Sequence, residues 1–177
     1  TYEKDGKKYL NLDGRKLIIN QCLYGVDINQ ECVEVAKLSL SLKIIDGYEP
    51  CDFNNAGLYG VQILHGVGVN IKCGNSLVEP DILRQMPEIT ENIEEVSATN
   101  VFDYRTAFRE VFVRGGFDYV IGNPPYVEVK NYNVSLPCMA KYIKQRYSSS
   151  RNGKIDLAIP FIERGLELLT EHGSLGY

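Results

Sequence analysis

The sequence predicts an α/β domain built on an open sheet, and three apolar runs carry that prediction. Cys22 to Val26 runs into Asp27 and is followed at once by a helical stripe. Val69, Ile71 and Cys73 alternate with polar residues before a Gly-Asn turn. Phe117 to Ile121 closes on Gly122 and delivers Asn123-Pro124-Pro125-Tyr126 at its carboxyl end, where open α/β sheets place their ligands.

Taken in chain order, Thr1 to Lys16 is polar: Lys4, Lys7, Lys8, Arg15 and Lys16 alternate with Asp5, Asn11 and Asp13, and no glycine-rich loop occurs there. Between Glu31 and Leu42, Val35, Leu38 and Leu42 share one helical stripe with Cys32, Ala36 and Leu40 beside it, so the first unit is a strand feeding a helix. Either Asp27 or Asn29 suits the cap of that helix. Val69 to Leu77 reads as the next strand with its turn, in which Asn75 stands. Glu79 to Glu95 is mostly acidic and polar with Pro80 and Pro87, and predicts a mobile surface insertion over 79–100. Asp103 to Val113 predicts a helix that turns Ala107, Phe108, Val111 and Phe112, with Phe102 before it, toward the sheet. His172 and Gly173, after Leu166, Leu168 and Leu169, predict a helix C-terminus ending in glycine, and Gly173 to Tyr177 a turn into a further strand.

The chemistry concentrates at Asn123 to Tyr126. Pro124 and Pro125 lack backbone N–H groups and hold φ near −65°, so the peptide stays extended with carbonyl oxygens that no helix or ladder consumes. Asn123 adds a side-chain acceptor, and Tyr126 offers a face on which a flat ring can lie. A cluster of fixed acceptors beside an aromatic face suits a planar group carrying an NH2, as a nucleobase does. The plainer reading is loop punctuation with a tyrosine packed on the fold.

Three blocks resemble the N6-adenine DNA methyltransferases of restriction-modification systems, above all the large single-chain type IIS/IIG enzymes. They are Leu23-Tyr24-Gly25-Val26-Asp27-Ile28-Asn29 with its helix, Gly122 to Val127, and Asp156 to Glu163 with Leu166, Leu168, Leu169 and Gly173. The resemblance implies a Rossmann-like AdoMet-dependent methyltransferase fold with strand order 3-2-1-4-5. It also implies cofactor contacts: Asp27 on the ribose hydroxyls, Ile28 over the adenine, the Asn75-Ser76-Leu77 turn at the adenine amine, and Asn123. The family usually carries an acidic residue at the position of Asn75 and an aromatic one at that of Ala158. Its glycine-rich loop has no counterpart before Asp27, so the fold is expected to be incomplete, lacking its first strand and truncated in its last ones, as an internal piece of a larger enzyme.

Composition adds bounds. A length of 177 residues suits one domain, no apolar run is long enough for a membrane span, and no signal peptide opens the chain, which together predict a soluble cytoplasmic fragment. The five cysteines, Cys22, Cys32, Cys51, Cys73 and Cys138, form no C-x-x-C pair and read as reduced, buried thiols. With only His65 and His172 as imidazoles, a zinc site is not expected. The net charge of −4 argues against indiscriminate nucleic-acid binding. From Lys130 to Lys154, however, every charged residue is basic: Lys130, Lys141, Lys144, Arg146, Arg151 and Lys154, interleaved with Tyr132, Tyr142 and Tyr147. These cations suit phosphates and the tyrosines an opened strand, unless the segment is an ordinary solvated loop and helix.

The function the resemblance implies is transfer of the AdoMet methyl group to the N6 amine of an adenine rotated out of double-stranded DNA, with Asn123, Pro124, Pro125 and Tyr126 as the catalytic motif. Target-recognition and nuclease domains would lie elsewhere in the parent chain, and any Mg2+ would serve such a nuclease. A protein-glutamine or RNA-guanine N-methyltransferase would use the same motif on another planar amine. A noncatalytic DNA-binding or scaffold piece of a restriction enzyme is the alternative of a different class. Phe161 stands as pocket wall or core, with core favoured by Ile162, Leu166 and Leu169.

Overall fold

The computed structural model describes residues 1–4, 6–47, 66–151 and 156–177. Asp5, Cys51, His65 and Lys154, each part of an expectation above, lie outside the described residues. The chain forms two compact units, Thr1–Cys73 and Gly74–Tyr177.

The first unit opens with an antiparallel hairpin of β1 (Tyr2–Lys4) and β2 (Lys7–Tyr9), with Tyr2 opposite Tyr9. Helix α1 (Leu12–Cys22) follows, capped by Asn11, whose side chain accepts from Gly14 N at 3.0 Å. Cys22 thus ends a helix instead of opening a strand. Strand β3 is only Gly25–Asp27, and α2 (Gln30–Ile45) begins after the cap Asn29, whose Oδ1 accepts from Glu31 N at 2.7 Å and Cys32 N at 3.2 Å. Strand β4 (Ile71–Cys73) runs parallel to β3 in the register Gly25↔Ile71, Val26↔Lys72, Asp27↔Cys73. The core gathers Ile19, Ile44 and Val67, with Leu12, Leu40 and Ile45 half-buried around it. Arg15 closes the far end of α2, donating to the carbonyls of Ile44 at 3.0 Å and Asp46 at 2.6 Å.

The rotation of α2 corrects the sequence reading. Val35, Leu38 and Leu42 face solvent, more than half exposed, while Val33, Ser41 and Ile44 are buried. The helix is apolar on more than one side, so periodicity alone does not say which stripe turns inward.

The second unit runs through α3 (Ile82–Gln85), a 3-10 segment (Pro87–Glu91), α4 (Ile93–Thr99), α5 (Tyr104–Ala107), α6 (Arg109–Val113) and β5 (Phe117–Ile121). It continues with α7 (Tyr132–Ser135), α8 (Pro137–Arg146), α9 (Ala158–Leu168) and β6 (Leu169–Gly176), short 3-10 segments preceding α7 and following α8. Strands β5 and β6 are parallel, with Tyr119↔Ser174, Val120↔Leu175 and Ile121↔Gly176. Among the described residues no strand joins this pair to β3 and β4.

Four further expectations change here, the burial of the cysteines among them. Residues 79–100, read as a mobile surface insertion, supply Ile82, Met86 and Ile89 to the main core, where they meet Met139, Tyr142 and Ile143 of α8. Their spacing of four and three residues is a helical stripe that the acidic composition masks. The helix expected over 103–113 is two short helices broken at Phe108, whose φ of −128° and ψ of 46° are not helical, although Phe102, Phe108 and Val111 are buried as anticipated. His172 does not end a helix. Helix α9 stops at Leu168, Leu169 is already extended, and Gly173 falls in the irregular stretch of β6 between Leu169 and Ser174. Of the described cysteines, Cys138 is buried, Cys73 is half-buried, and Cys22 and Cys32 are exposed. None of the described helices is long and apolar enough to cross a membrane.

Candidate active site

Strand β5 ends at Ile121, and the prolines after it release the chain from the sheet. Gly122 N still donates to Gly176 O at 3.1 Å, so the ladder reaches to the residue before Asn123. Asn123 is exposed, Pro124 is buried, and Tyr126 is 81% exposed. Pro125 O accepts from Val127 N at 3.0 Å. Among the described residues nothing hydrogen-bonds the Asn123 side chain or the Pro124 carbonyl. The motif is therefore anchored on both sides, at Gly122 and Val127, with two acceptors that have no partner among the described residues and one exposed aromatic face between. Val127 O accepts from Leu157 N at 2.9 Å and Glu128 bridges to Asp156, which ties the motif to the start of the third sequence block. Asp156 opens α9 by accepting Ala158 N at 2.9 Å. Phe161 lies half-buried against the main core, and Ala158 is half-buried.

The turn at 74–77 is tightly built. A side chain at Gly74 would place Cβ 2.5 Å from the Phe102 ring, so only glycine fits. Asn75 is buried, and its Oδ1 accepts from Leu77 N at 3.0 Å while its Nδ2 faces Met139 Sδ at 3.5 Å. The amide oxygen assigned to a cofactor amine is thus held inside the turn. Leu77 is core, 2% exposed, with its carbonyl accepting the Tyr147 hydroxyl at 2.8 Å. Ser76 is half-buried and shares a hydrogen bond with Tyr104.

In the first unit Asp27 sits exposed at the carboxyl end of β3. One carboxylate oxygen accepts from Asn29 N at 2.7 Å, while the other has no partner among the described residues. Asn29, not Asp27, caps α2, so the plainer of the two readings for Asp27 does not hold. The Ile28 side chain is 55% exposed beside it.

The basic segment is largely engaged within the protein. Lys130 pairs with Glu128 at 2.7 Å and Lys141 with Glu88 at 3.0 Å. Arg146 is held by both oxygens of Glu167 at 2.8 and 2.7 Å, with Glu79 at 3.6 Å, and Arg164 bridges the same two carboxylates at 2.8 and 3.0 Å. These four residues border a cavity of about 280 Å³ together with Tyr104 and Arg105. Hydrogen bonding to Glu167 keeps the Arg146 guanidinium well above its ordinary range. Lys144 reaches only the amide oxygen of Asn133 at 3.3 Å, and Arg151 is exposed; among the described residues neither has a carboxylate partner. Tyr142 and Tyr147, expected to meet an opened strand, are fully buried, with the Tyr142 hydroxyl donating to Asp81 at 2.6 Å. Burial drives both phenols above their ordinary pKa.

Residues 21–177 match the family described as Eco57I restriction-modification methylase. The chain belongs to that family. It is 28% identical over 169 residues to the Type II restriction enzyme and methyltransferase RM.Eco57I of Escherichia coli, covering 95% of this chain and 15% of that protein. Similarity extends to the Type II methyltransferase M.BstVI of Geobacillus stearothermophilus, at 27% over 158 residues, covering 89% of this chain and 21% of the relative. Against the Type II methyltransferase M.PaeR7I of Pseudomonas aeruginosa identity rises to 42% over 65 residues, 37% of this chain and 11% of the relative. The chain thus spans only a minor part of each relative's length. No solved structure matches it.

The Eco57I methylase match covers every candidate residue from Asp27 onward and leaves outside it the hairpin and nearly all of α1. Within the family region, sequence reasoning missed the groups that lock the second unit together: Glu95, Glu163 and Arg164. Glu95 is buried and accepts from Cys138 N at 2.7 Å and Met139 N at 3.2 Å, serving as a remote cap of α8. The Pro-Cys start of α8, which has no capping side chain of its own, is the signal that such a partner is needed.

Proposed function

We propose that this methylase chain holds the acceptor amine in a DNA methyltransferase acting on the N6 position of adenine, within a cytoplasmic restriction-modification enzyme. The observation that carries this reading is the exposed face of Tyr126 three residues after Asn123, whose exposed amide oxygen has no hydrogen-bond partner among the described residues; the carbonyl of the buried Pro124 is likewise unpaired there. An aromatic amine is a poor nucleophile because its lone pair is delocalised into the ring. The Asn123 oxygen and the Pro124 carbonyl accept hydrogen bonds from its two N–H groups and localise that lone pair, acting by position and electrostatics without a titrating base; the one proton shed by the methylated amine passes to solvent. Tyr126 stacks on the extruded base and offsets part of an unstacking cost of a few kcal/mol.

Asp27 suits the cofactor's ribose, since its exposed carboxylate keeps one oxygen open, and Ile28 offers apolar cover for the adenine. AdoMet, when bound, supplies the electrophilic methyl group. The turn at Asn75, Ser76 and Leu77 contributes shape and backbone, because the Asn75 side chain and Leu77 are both occupied internally. Lys144 and Arg151 are the cations best placed for phosphate. A nuclease domain using Mg2+ and a target-recognition domain belong to other parts of the parent chain in this reading. Membership in a restriction-modification methylase family favours DNA over a glutamine or guanine acceptor.

In the full-length protein, Asn123→Ala should lower methyl transfer to DNA by at least about 10²-fold, the scale of one lost preorganised hydrogen bond, with AdoMet affinity nearly unchanged. Transfer at the wild-type rate would overturn the mechanism, and methylation found on cytosine or on protein would overturn the substrate.

A further inference from the structure

The Tyr177 side chain occupies a slot that two glycines leave open. A Cβ at Gly122 would lie 2.5 Å from Tyr177 Cε1 and 3.1 Å from Cδ1. A Cβ at Gly165, on α9, would lie 2.9 Å from the Tyr177 hydroxyl and 2.6 Å from Leu175 Cδ1. Separations under 3 Å between such atoms require something to move, so any larger residue at either position would displace the ring. Neither glycine has a positive φ. Their small size therefore serves the ring and not the backbone conformation.

The slot adjoins the acceptor motif. Gly122 is the residue before Asn123, its N–H is bonded to Gly176 O, and Tyr177 follows Gly176 directly. Partial burial, with Tyr104 a smaller influence, holds the Tyr177 phenol above its ordinary pKa. Tyr104 in turn shares a hydrogen bond with Ser76 and lies under the Arg164 guanidinium, 5.0 Å from the ring centre.

We propose that Tyr177 is a positioning residue for methyl transfer: its ring, seated between Gly122 and Gly165, fixes the peptide that presents the Asn123 acceptor. This rests on the methyltransferase reading above. Two anchors then define the approach to Asn123, the backbone bond from Gly122 and the ring laid against Gly122 Cα. Losing the ring leaves the first in place and lets the peptide shift by fractions of an ångström, enough to matter where reacting atoms must align.

The test compares wild type, Tyr177→Phe, Tyr177→Ala, Gly122→Ala and the double variant Gly122→Ala/Tyr177→Ala, all in the full-length protein. Single-turnover methylation of DNA should fall about 10- to 10²-fold in Tyr177→Ala and in Gly122→Ala, with DNA and AdoMet dissociation constants nearly unchanged. Tyr177→Phe should stay close to wild type. The double variant should be no worse than Tyr177→Ala, because the ring that the new methyl strikes is gone. Thermal unfolding reads the same coupling without turnover: Gly122→Ala should lower Tm in the wild-type background and scarcely at all beside Tyr177→Ala. Independent, additive effects would overturn the slot. An active wild type with an equally fast Tyr177→Ala would overturn the positioning role and leave the methyltransferase reading standing. A wild type that moves no methyl group to DNA would overturn that reading and the role built on it.

Discussion

Tyr126 is 81% exposed although tyrosine normally covers its ring, and it stands three residues after an asparagine whose amide nothing in the described structure engages. Such exposure leaves the ring face free to stack on a base. Stacking on an aromatic face contributes about 1–3 kcal/mol per base, and phenylalanine retains it. Tyr126→Phe should therefore keep most of the activity and Tyr126→Ala should lose about 10- to 10²-fold, measured as single-turnover methylation of DNA; a full loss in the phenylalanine variant would assign a role to the hydroxyl. The place of Asn123 to Tyr126 at the carboxyl end of β5 was legible from sequence because it is local: an apolar run ends at two prolines, which dictate the backbone. Asn75 was less legible. Its amide looks like a free acceptor in the sequence, but the N–H of Leu77, two residues on, takes it. Tyr177 was not legible at all, since its place depends on glycines 55 and 12 residues earlier in the chain whose meaning is the absence of a side chain.

Among the elements, α8 and α9 are fastened by carboxylates that make no sense in isolation. Glu163 on α9 accepts from Ser148 N and Ser149 N at 2.9 Å each and from the Ser148 hydroxyl at 3.1 Å, pinning the 3-10 segment that leaves α8. Partial burial works to raise its pKa, but these serine hydrogen bonds outweigh it and pull the carboxyl down to about 2. A carboxyl held below its ordinary 4.5 adds stability in full above that pH and loses it as the pH falls toward about 2. Glu163→Gln should accordingly flatten the fall of Tm between those two pH values, and a variant with an unchanged acid limb would show that the serines do not bind the ionised form. The carboxyl ends of β3, β4 and β5 and the β3–α2 unit were readable because short apolar runs end there, whereas the β1–β2 hairpin lies in a polar stretch and the first half of β6 carries the pattern of a helix end. Which face of α2 turns inward was not, because Val33, Ser41 and Ile44 compete with an equally apolar stripe through Val35, Leu38 and Leu42. The break at Phe108 escaped for a similar reason: the apolar pattern continues through it while the backbone does not.

At the scale of the whole molecule, a net charge of −4 leaves little general attraction for a polyanion, so under the proposed function any DNA affinity of this chain would come from particular cations. Arg146, fixed by Glu167 and Glu79, is structural, whereas Lys144 and Arg151 remain without carboxylate partners among the described residues. Neutralising Lys144 and Arg151 with glutamine in the full-length protein should weaken DNA binding at low salt and reduce the salt slope by about one unit for each phosphate left without its cation. Arg146→Gln should instead lower Tm, and an unchanged salt slope in the double variant would place the DNA elsewhere. The segment at 79–100 matters to anyone reshaping this protein. Its acidic, proline-bearing sequence invites excision as ornament, or use as a site for grafting a foreign module. Removing it would strip Ile82, Met86 and Ile89 from one side of α8 and leave Cys138 and Met139 without the carboxylate that caps their helix. The bared apolar face would seek cover from other copies, so a trimmed protein would be expected to clump before it could be assayed.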